Sequence, residues 1–393
     1  MNFTNFITKK KMKKSIITVA SALLVLAVSC NNKQQSATTT STNEQSSIAL
    51  ELKTIDVDEF VKHPKSTNNG QGLHYKISFT YPAEYENKAV LETLQRKFIS
   101  YVLGADYASL TPETAVKTCI EDWKKAYNND TKEYPLVYEY TCTNSIIFVN
   151  DVLLQMGVYN YVQQGGAHGF GGSSSHLFNL QTGKEYSRND IFNPDKADEI
   201  RWTIIEALQN YLGLEEGDET PDFGEDVWSE NTNFAVNKEG IVLNYDNSLG
   251  YNAIQEPIAI PYINIMPCLR ENTPVWELAK EIIMNALNEK NRTLLANAGI
   301  GIGSTLEDLL KHYSKFKIDI YYDEMGSFEY DNLEDMLNAY GEEWYSAYND
   351  WAIFTPLNQN GKEAEIKFFI SFKNLDNQSK YKKESKIWMV INN

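Results

Sequence analysis

The sequence predicts an α+β fold: antiparallel sheets with packed helices, followed by a smaller α+β domain at the C-terminal end. Strand-length runs with two-residue alternation recur along the chain, as in "LHYKISFTY" at 73–81. Other segments place apolar residues four apart, as in "AVLETLQRKFISYVLG" at 89–104. The chain of 393 residues is long enough for two domains, and its 12% aromatic content is that of a real core.

The first 29 residues read as an address rather than as structure. Lys9, Lys10, Lys11, Lys13 and Lys14 precede the apolar run "SIITVASALLVLAVSC", which is too short for a membrane-spanning helix and reads as a signal-peptide core. Met12 opens a complete signal by itself. Ala27 and Ser29 lead into Cys30, which resembles the lipobox of a bacterial lipoprotein. That resemblance implies a lipid on Cys30 as the first mature residue; the alternative is ordinary cleavage near Ser29 with no lipid. Residues 30–52, rich in Ser and Thr and poor in apolar mass, read as a flexible tether. Removing residues 1–29 removes five lysines and no acid, which takes the net charge from -17 to -22. Such a surface repels nucleic acid and anionic headgroups and steers basic partners toward it.

The main domain is expected over 53–300. After the strand at 73–81, Val90, Leu94, Phe98 and Val102 line one face of a helix that stops at Gly104. Thr111-Pro112 opens a second helix running toward Asn128. "PLVYEYTCTNSIIFVN" and "DVLLQMGVYNYVQQ" read as a hairpin turning at Asn150-Asp151. "HLFNLQTGKEY" is a strand, a Thr-Gly turn and a short return, and "DEIRWTIIEALQNYL" is a helix. "NFAVNKEGIVLNYD" is a hairpin, "EPIAIPYINI" a strand, and one long helix is expected from Thr273-Pro274 to Asn297. The run "IGIG" at 300–303 marks a boundary to a C-terminal domain at 301–393. There Ser304 and Glu307 form a capping-box pattern, "KIDIYYD" is a strand, and Asp331 opens a helix through Tyr348. "AEIKFFISFKN" and "SKIWMVINN" then pair as strands.

Chemistry-bearing residues concentrate in "QQGGAHGFGGSSSH", 163–176. His168 with Ser173, Ser174 or Ser175 and Asp190 holds the ingredients of a nucleophilic triad, but no Gly-x-Ser-x-Gly elbow is present. His176 lies eight positions on, and no His-x-x-x-His or Cys-x-x-Cys pattern provides a zinc site. No catalytic residue, metal ligand or cofactor is therefore expected. A glycine within a strand costs about 1 kcal/mol relative to alanine. Gly165 and Gly166 directly after a strand thus predict positive φ, a bulge or close backbone approach, with Ala167 continuing the passage and His168 hydrogen-bonding across it. Cys119, Cys142 and Cys268 allow one bridge and one free thiol, or none; their spacing favours packing as small hydrophobes for Cys119 and Cys142.

The stretch "YNYVQQGGAHGFGGSSSHLFNLQTGKEYSRNDIF" resembles the hallmark of a family of domains of unknown function in bacterial envelope proteins. The family includes the extracellular domain of the anti-sigma-V factor RsiV and the N-terminal region of the peptidoglycan deacetylase PdaC. The resemblance rests on Tyr159, Tyr161, Gly165, Gly166, Ala167, His168, Thr182, Gly183, Lys184, Asp190 and Phe192. It continues through a Lys-x-Gly hairpin with Gly240 and Tyr245, and an Ile-Pro-Tyr strand with Pro261 and Tyr262. The chain departs from it at Gln164, where threonine is usual, and at "DNSLGYNAIQEP". No deacetylase domain accompanies the match, which covers roughly residues 55–270, so the resemblance implies only an envelope-facing binding or sensing module.

An acidic stretch carries Glu215, Glu216, Asp218, Glu219, Asp222, Glu225, Asp226 and Glu230. It reads as a solvated surface loop, or as an attractor for a basic partner; the family resemblance implies lysozyme as one such partner. Its spacing does not match an EF-hand. Trp344, Tyr348 and Trp351 share a helical face, which reads as core rather than as a sugar platform. The expectation is a membrane-anchored envelope lipoprotein with a non-catalytic binding or sensing domain, for lysozyme-like basic proteins or peptidoglycan. The alternative is an enzyme or enzyme accessory acting on cell-wall glycan.

Overall fold

A hairpin closed at Asn150 forms the middle of a six-stranded sheet. The Asn150 side chain accepts hydrogen bonds from the N–H groups of Val152 and Leu153, which fixes the turn that the sequence predicts. The structure, a computed structural model, describes residues 50–214, 225–229, 232–245, 257–322, 326–330, 351–371 and 385–393.

The sheet begins with β1 (Glu51–Lys62) and β2 (Gly72–Glu84). Helices α1 (Lys88–Val102) and α2 (Pro112–Asp130) follow. The side chain of Asn87 caps α1 by accepting from Val90 N–H, and that of Thr111 caps α2 by accepting from Thr114 N–H, with Pro112 opening the helix. Strands β3 (Tyr138–Val149), β4 (Leu153–Gln164), β5 (Phe170–Asn179) and β6 (Glu185–Tyr186) complete the order β1-β2-β3-β4-β5-β6. All neighbours are antiparallel except β2 and β3, which run parallel. The two helices between them supply the long crossover that a parallel pair needs.

Both helices cover one face of this sheet. Leu94, Phe98, Ile99, Ala115, Val116 and Cys119 pack on Ile77, Phe79, Leu154, Met156, Val158 and Phe178. Each large apolar side chain so buried contributes roughly 1.5–3 kcal/mol. Beside them Tyr75, Tyr127, Tyr138 and Tyr140 form an aromatic cluster.

After the one-turn helix Arg188–Ile191 come α3 (Ala197–Leu212) and a three-stranded antiparallel sheet, β7 (Asn233–Val236), β8 (Gly240–Asn244) and β9 (Ile258–Pro261). The single helix expected over 273–297 is two: α4 (Pro274–Asn285) and α5 (Glu289–Ala298). Asn288 ends the first run because its side chain accepts from Asn291 N–H and caps the second, while Leu287 turns into the core. Helix α6 (Leu306–His312) carries a capping box, but on Thr305 and Asp308, one residue later than expected; Ser304 Oγ instead accepts from Gly301 N–H.

The smaller C-terminal region is sheet-rich. Strands β10 (Phe316–Tyr322), β11 (Gly326–Tyr330), β12 (Trp351–Pro356), β13 (Ile366–Ser371) and β14 (Lys386–Asn392) pair antiparallel in the order β11-β10-β12-β13-β14. One apolar cluster runs from Phe148 and Leu177 through α3 and α4 to Phe316, Phe368 and Val390. Ile300 and Ile302, at the expected boundary, are buried in it. The helix read over 331–348, with Trp344 and Tyr348, lies outside the described residues; Trp351 opens β12.

Candidate functional site

Gly165 turns the chain after β4 with φ of +68°, and its N–H donates to Val137 O. A Cβ there would lie 2.8 Å from Leu136 Cδ1, so the position combines the positive φ and the close approach that the sequence predicts. Gly169 and Gly171 have a second purpose. The ring of Tyr161 lies against both, and a Cβ on Gly169 would fall 2.2 Å from its hydroxyl oxygen. The glycines thus leave room for a tyrosine laid across the neighbouring strand.

His168 departs from its expected role. Its side chain is exposed with Gly166 and Ala167 at the loop tip, and no hydrogen bond among the described residues engages it. The loop is held instead by Gly165 N–H and by Gln163 Nε2, which donates to Gly166 O. Asp190, the other candidate triad member, is committed elsewhere. It accepts from Lys184 Nζ at 2.6 Å and from Ser187, which hold its carboxyl down at about 2.

The remaining motif residues hold the frame. Thr182 Oγ1 accepts from Lys184 N–H, and Gly183 takes φ of +71° in the turn. Phe192 is buried edge-on against Trp228 and Phe234. Tyr245 donates to Val227 O and Tyr262 to Asn237 O; Gly240 and Pro261 sit opposite each other in the β8–β9 register. Of the acidic stretch, Glu225 and Asp226 lie in the short helix Glu225–Trp228. Glu215, Glu216, Asp218, Glu219, Asp222 and Glu230 lie outside the described residues, as does Cys30. Cys119, Cys142 and Cys268 are free thiols. Burial pushes each up to about 12.

Of the serines grouped with His168 above, Ser174 instead meets His176, at the C-terminal end of the same 163–176 segment. Ser174 and His176 are two apart on β5 and therefore share a face, the one that α1 covers. Ser174 Oγ lies 2.9 Å from His176 Nε2, and His176 Nδ1 lies 2.9 Å from Glu185 Oε1 on β6. The other carboxylate oxygen accepts from Lys97 Nζ at 2.8 Å and from Tyr101 at 2.7 Å, both on α1. Burial opposes ionisation of Glu185, but the bonds from His176, Lys97 and Tyr101 outweigh it and lower the carboxyl to about 2. An ionised carboxylate only accepts, so Nδ1 donates to Glu185, while Nε2 faces the Ser174 hydroxyl. Period-two spacing and the Thr-Gly turn were the signals in the sequence; the helix residues were not.

Helix α1 ends at Val102, just past Tyr101, and leaves the end of this face bare. Phe170 is 81% exposed there beside Val162, its partner across the strands. On the other face Tyr159 is also exposed. Among the described residues no group of three or more His, Cys, Asp or Glu side chains is placed to hold a metal ion, and no helix is long and apolar enough to cross a membrane.

These features define an α+β domain with a helix-covered mixed sheet and an exposed aromatic end. No family model matches the chain, and no curated protein does. Among solved structures it is similar to a member of the DUF3298 family from Bacteroides fragilis NCTC 9343. That crystal structure shares 22% identity, with a TM-score of 0.52 over 60% of this chain and 100% of the other. A DUF3298 family protein from Pseudomonas aeruginosa PAO1 aligns at 15% identity and a TM-score of 0.41, over 57% of this chain and 95% of the other. The first likeness is one of fold, shared with a bacterial domain of unknown function.

Proposed function

We propose that the chain is a lipid-anchored bacterial envelope protein whose residues 53–300 form a recognition module, with residues 301–393 as a smaller domain behind it. Its partners are peptidoglycan or a strongly basic protein such as lysozyme, and Cys30 carries the anchor. The observation that carries this reading is the bare end of the six-stranded sheet. Val162 and Phe170 are exposed together on one face and Tyr159 on the other, at the end of the sheet whose loop backbone is fixed by Gly165. Aromatic surface on a rigid sheet end supplies contact area at low entropic cost. A mature charge of -22 adds long-range attraction for a basic partner.

The test is capture by the full chain, purified in detergent, of lysozyme and of peptidoglycan fragments at low and high salt. Capture of lysozyme that weakens with salt, or of glycan that does not, supports the reading. In either case Phe170→Ala and Tyr159→Ala lower the affinity. Failure to retain either ligand overturns it.

A further inference from the structure

We infer that Ser174, His176 and Glu185 form a nucleophilic site that cleaves an uncharged carboxylic ester. This goes beyond recognition, does not rest on it, and departs from the expectation that this segment breaks no bond.

The geometry is that of a nucleophile, its base and the group that orients the base. Both links are 2.9 Å, within hydrogen-bond reach. The base is held on two sides, by a ring and by a carboxylate. Its ring is stacked on Tyr101 with centroids 3.6 Å apart, and Glu185 is itself fixed by Lys97 and Tyr101. Ser174 is half-buried, at the point where α1 stops covering the face.

Two further features make room for a substrate. Gly172, next along the same face, has nothing within 4 Å of where a Cβ would be, and Phe170 follows it as an exposed apolar shelf. Strand β6 pairs only with Leu177 and Phe178, so on the edge away from β4 no strand among the described residues pairs with residues 170–176, where Asn233 reaches Ser173 O. The N–H and C=O of Asn179 bond to the β6 side and Ser173 O accepts from Asn233, so odd-numbered residues of β5 face that edge. Ser175, directly after the nucleophile, therefore turns its main-chain N–H to the edge away from β4, where it is the donor for an oxyanion. The apolar shelf and the acidic surface favour a neutral acyl group over an anionic one.

In the reaction Ser174 Oγ bonds to the ester carbonyl carbon as its proton passes to His176 Nε2. The carbon–oxygen bond to the leaving alcohol breaks, and Nε2 returns the proton to that oxygen. Water then attacks the acyl group, again giving its proton to Nε2, and the acyl–Oγ bond breaks as Oγ takes the proton back. One ester and one water become one acid and one alcohol. Glu185 acts through His176 as a positioning residue.

The test uses the full chain with a fluorophosphonate probe and with p-nitrophenyl acetate. The probe is expected to attach at Ser174, located by peptide mass, and the chain to hydrolyse the ester faster than buffer alone. Ser174→Ala abolishes both while its circular dichroism spectrum stays that of the folded chain, whereas Ser173→Ala retains both. Glu185→Gln lowers turnover on the order of 10²–10⁴-fold and alters its pH profile. Wild-type chain left unlabelled, labelled at another serine, or labelled equally as Ser174→Ala overturns the inference. Capture of lysozyme or glycan is unaffected by Ser174→Ala, so failure of this site and failure of the recognition reading are separate results.

Discussion

The imidazole of His176 lies flat against the ring of Tyr101, with centroids 3.6 Å apart and planes inclined by 18°, and both side chains bond to the carboxylate of Glu185. The pair joins β5 to α1, and Lys97 on the same helix adds a third donor. Removing one donor is thus felt by the whole group. Tyr101→Phe keeps the stack and deletes the 2.7 Å bond. It should lower unfolding free energy by about 1–2 kcal/mol, read from a urea titration with unchanged slope.

The same carboxylate gives acid sensitivity. Glu185 titrates at about 2 in the fold against an ordinary 4.5, despite its burial, because of the bonds from His176, Lys97 and Tyr101. A depressed folded value means that the stabilisation is complete above the ordinary value and is lost as pH falls toward about 2. Unfolding free energy should decline across that window by at most about 1.4 kcal/mol per pH unit from this group. Glu185→Gln should flatten that part of the curve; Asp190, lowered similarly by Lys184 and Ser187, leaves a residual slope.

The glycine loop separates backbone from side-chain roles. Gly165→Ala places a Cβ at φ of +68° and 2.8 Å from Leu136, and should cost roughly 1–3 kcal/mol. His168→Ala, at an exposed position with no hydrogen-bond partner among the described residues, should stay within about 0.5 kcal/mol of wild type. Thermal melts of both variants check the contrast. A large loss from His168→Ala would mean that the imidazole has a partner the fold does not show.

Much of the framework was legible because it is local. Caps at Thr111 and Thr273 and the turn at Asn150 follow from neighbours within a few residues. Strand β1 was not read, because only Leu52, Ile55 and Val57 are even half-buried and the rest of the strand is exposed. A strand with so little buried surface carries almost no alternation. The parallel pairing of β2 with β3 depends on where two helices return the chain, which no local pattern encodes. The site divides in the same way. Ser174 and His176 share a face by strand periodicity, and the turn at Gly183 returns Glu185 beside Phe178. Lys97 and Tyr101 arrive from a helix more than seventy residues earlier, so the feature that orders the histidine was invisible.

Thiol reactivity offers a direct check on the core. Cys119 and Cys268 are almost fully buried, Cys142 partly so, and burial pushes each thiol up to about 12. Little thiolate exists at neutral pH, so native chain should react with iodoacetamide far more slowly than chain in denaturant. Non-reducing electrophoresis should show no intramolecular bridge. Rapid modification of Cys119 in the native state would contradict its packing against α1 and the sheet.

Gln155 ties the two sheets of the main domain together. It lies on β4, is fully buried, and its Oε1 accepts from the N–H of Val236 on β7 at 3.1 Å. Its Nε2 reaches only Met156 O, at 3.4 Å, so the amide's contribution rests mainly on the contact to β7. Gln155→Ala would leave Val236 N–H without its partner and open a cavity beneath the three-stranded sheet. The unpaired donor alone costs about 1–3 kcal/mol, and the lost side-chain volume adds to it. Gln155→Glu keeps the acceptor but buries a charge, so it should be tolerated only at acidic pH, where the carboxyl is protonated. Hydrogen exchange should then report faster opening of β7 and β8 in Gln155→Ala, while α1 and α2, packed on the opposite face, keep their protection. Equal loss of protection in α1 would mean that the two faces of the sheet unfold as one unit, and Gln155 would not be a local tie.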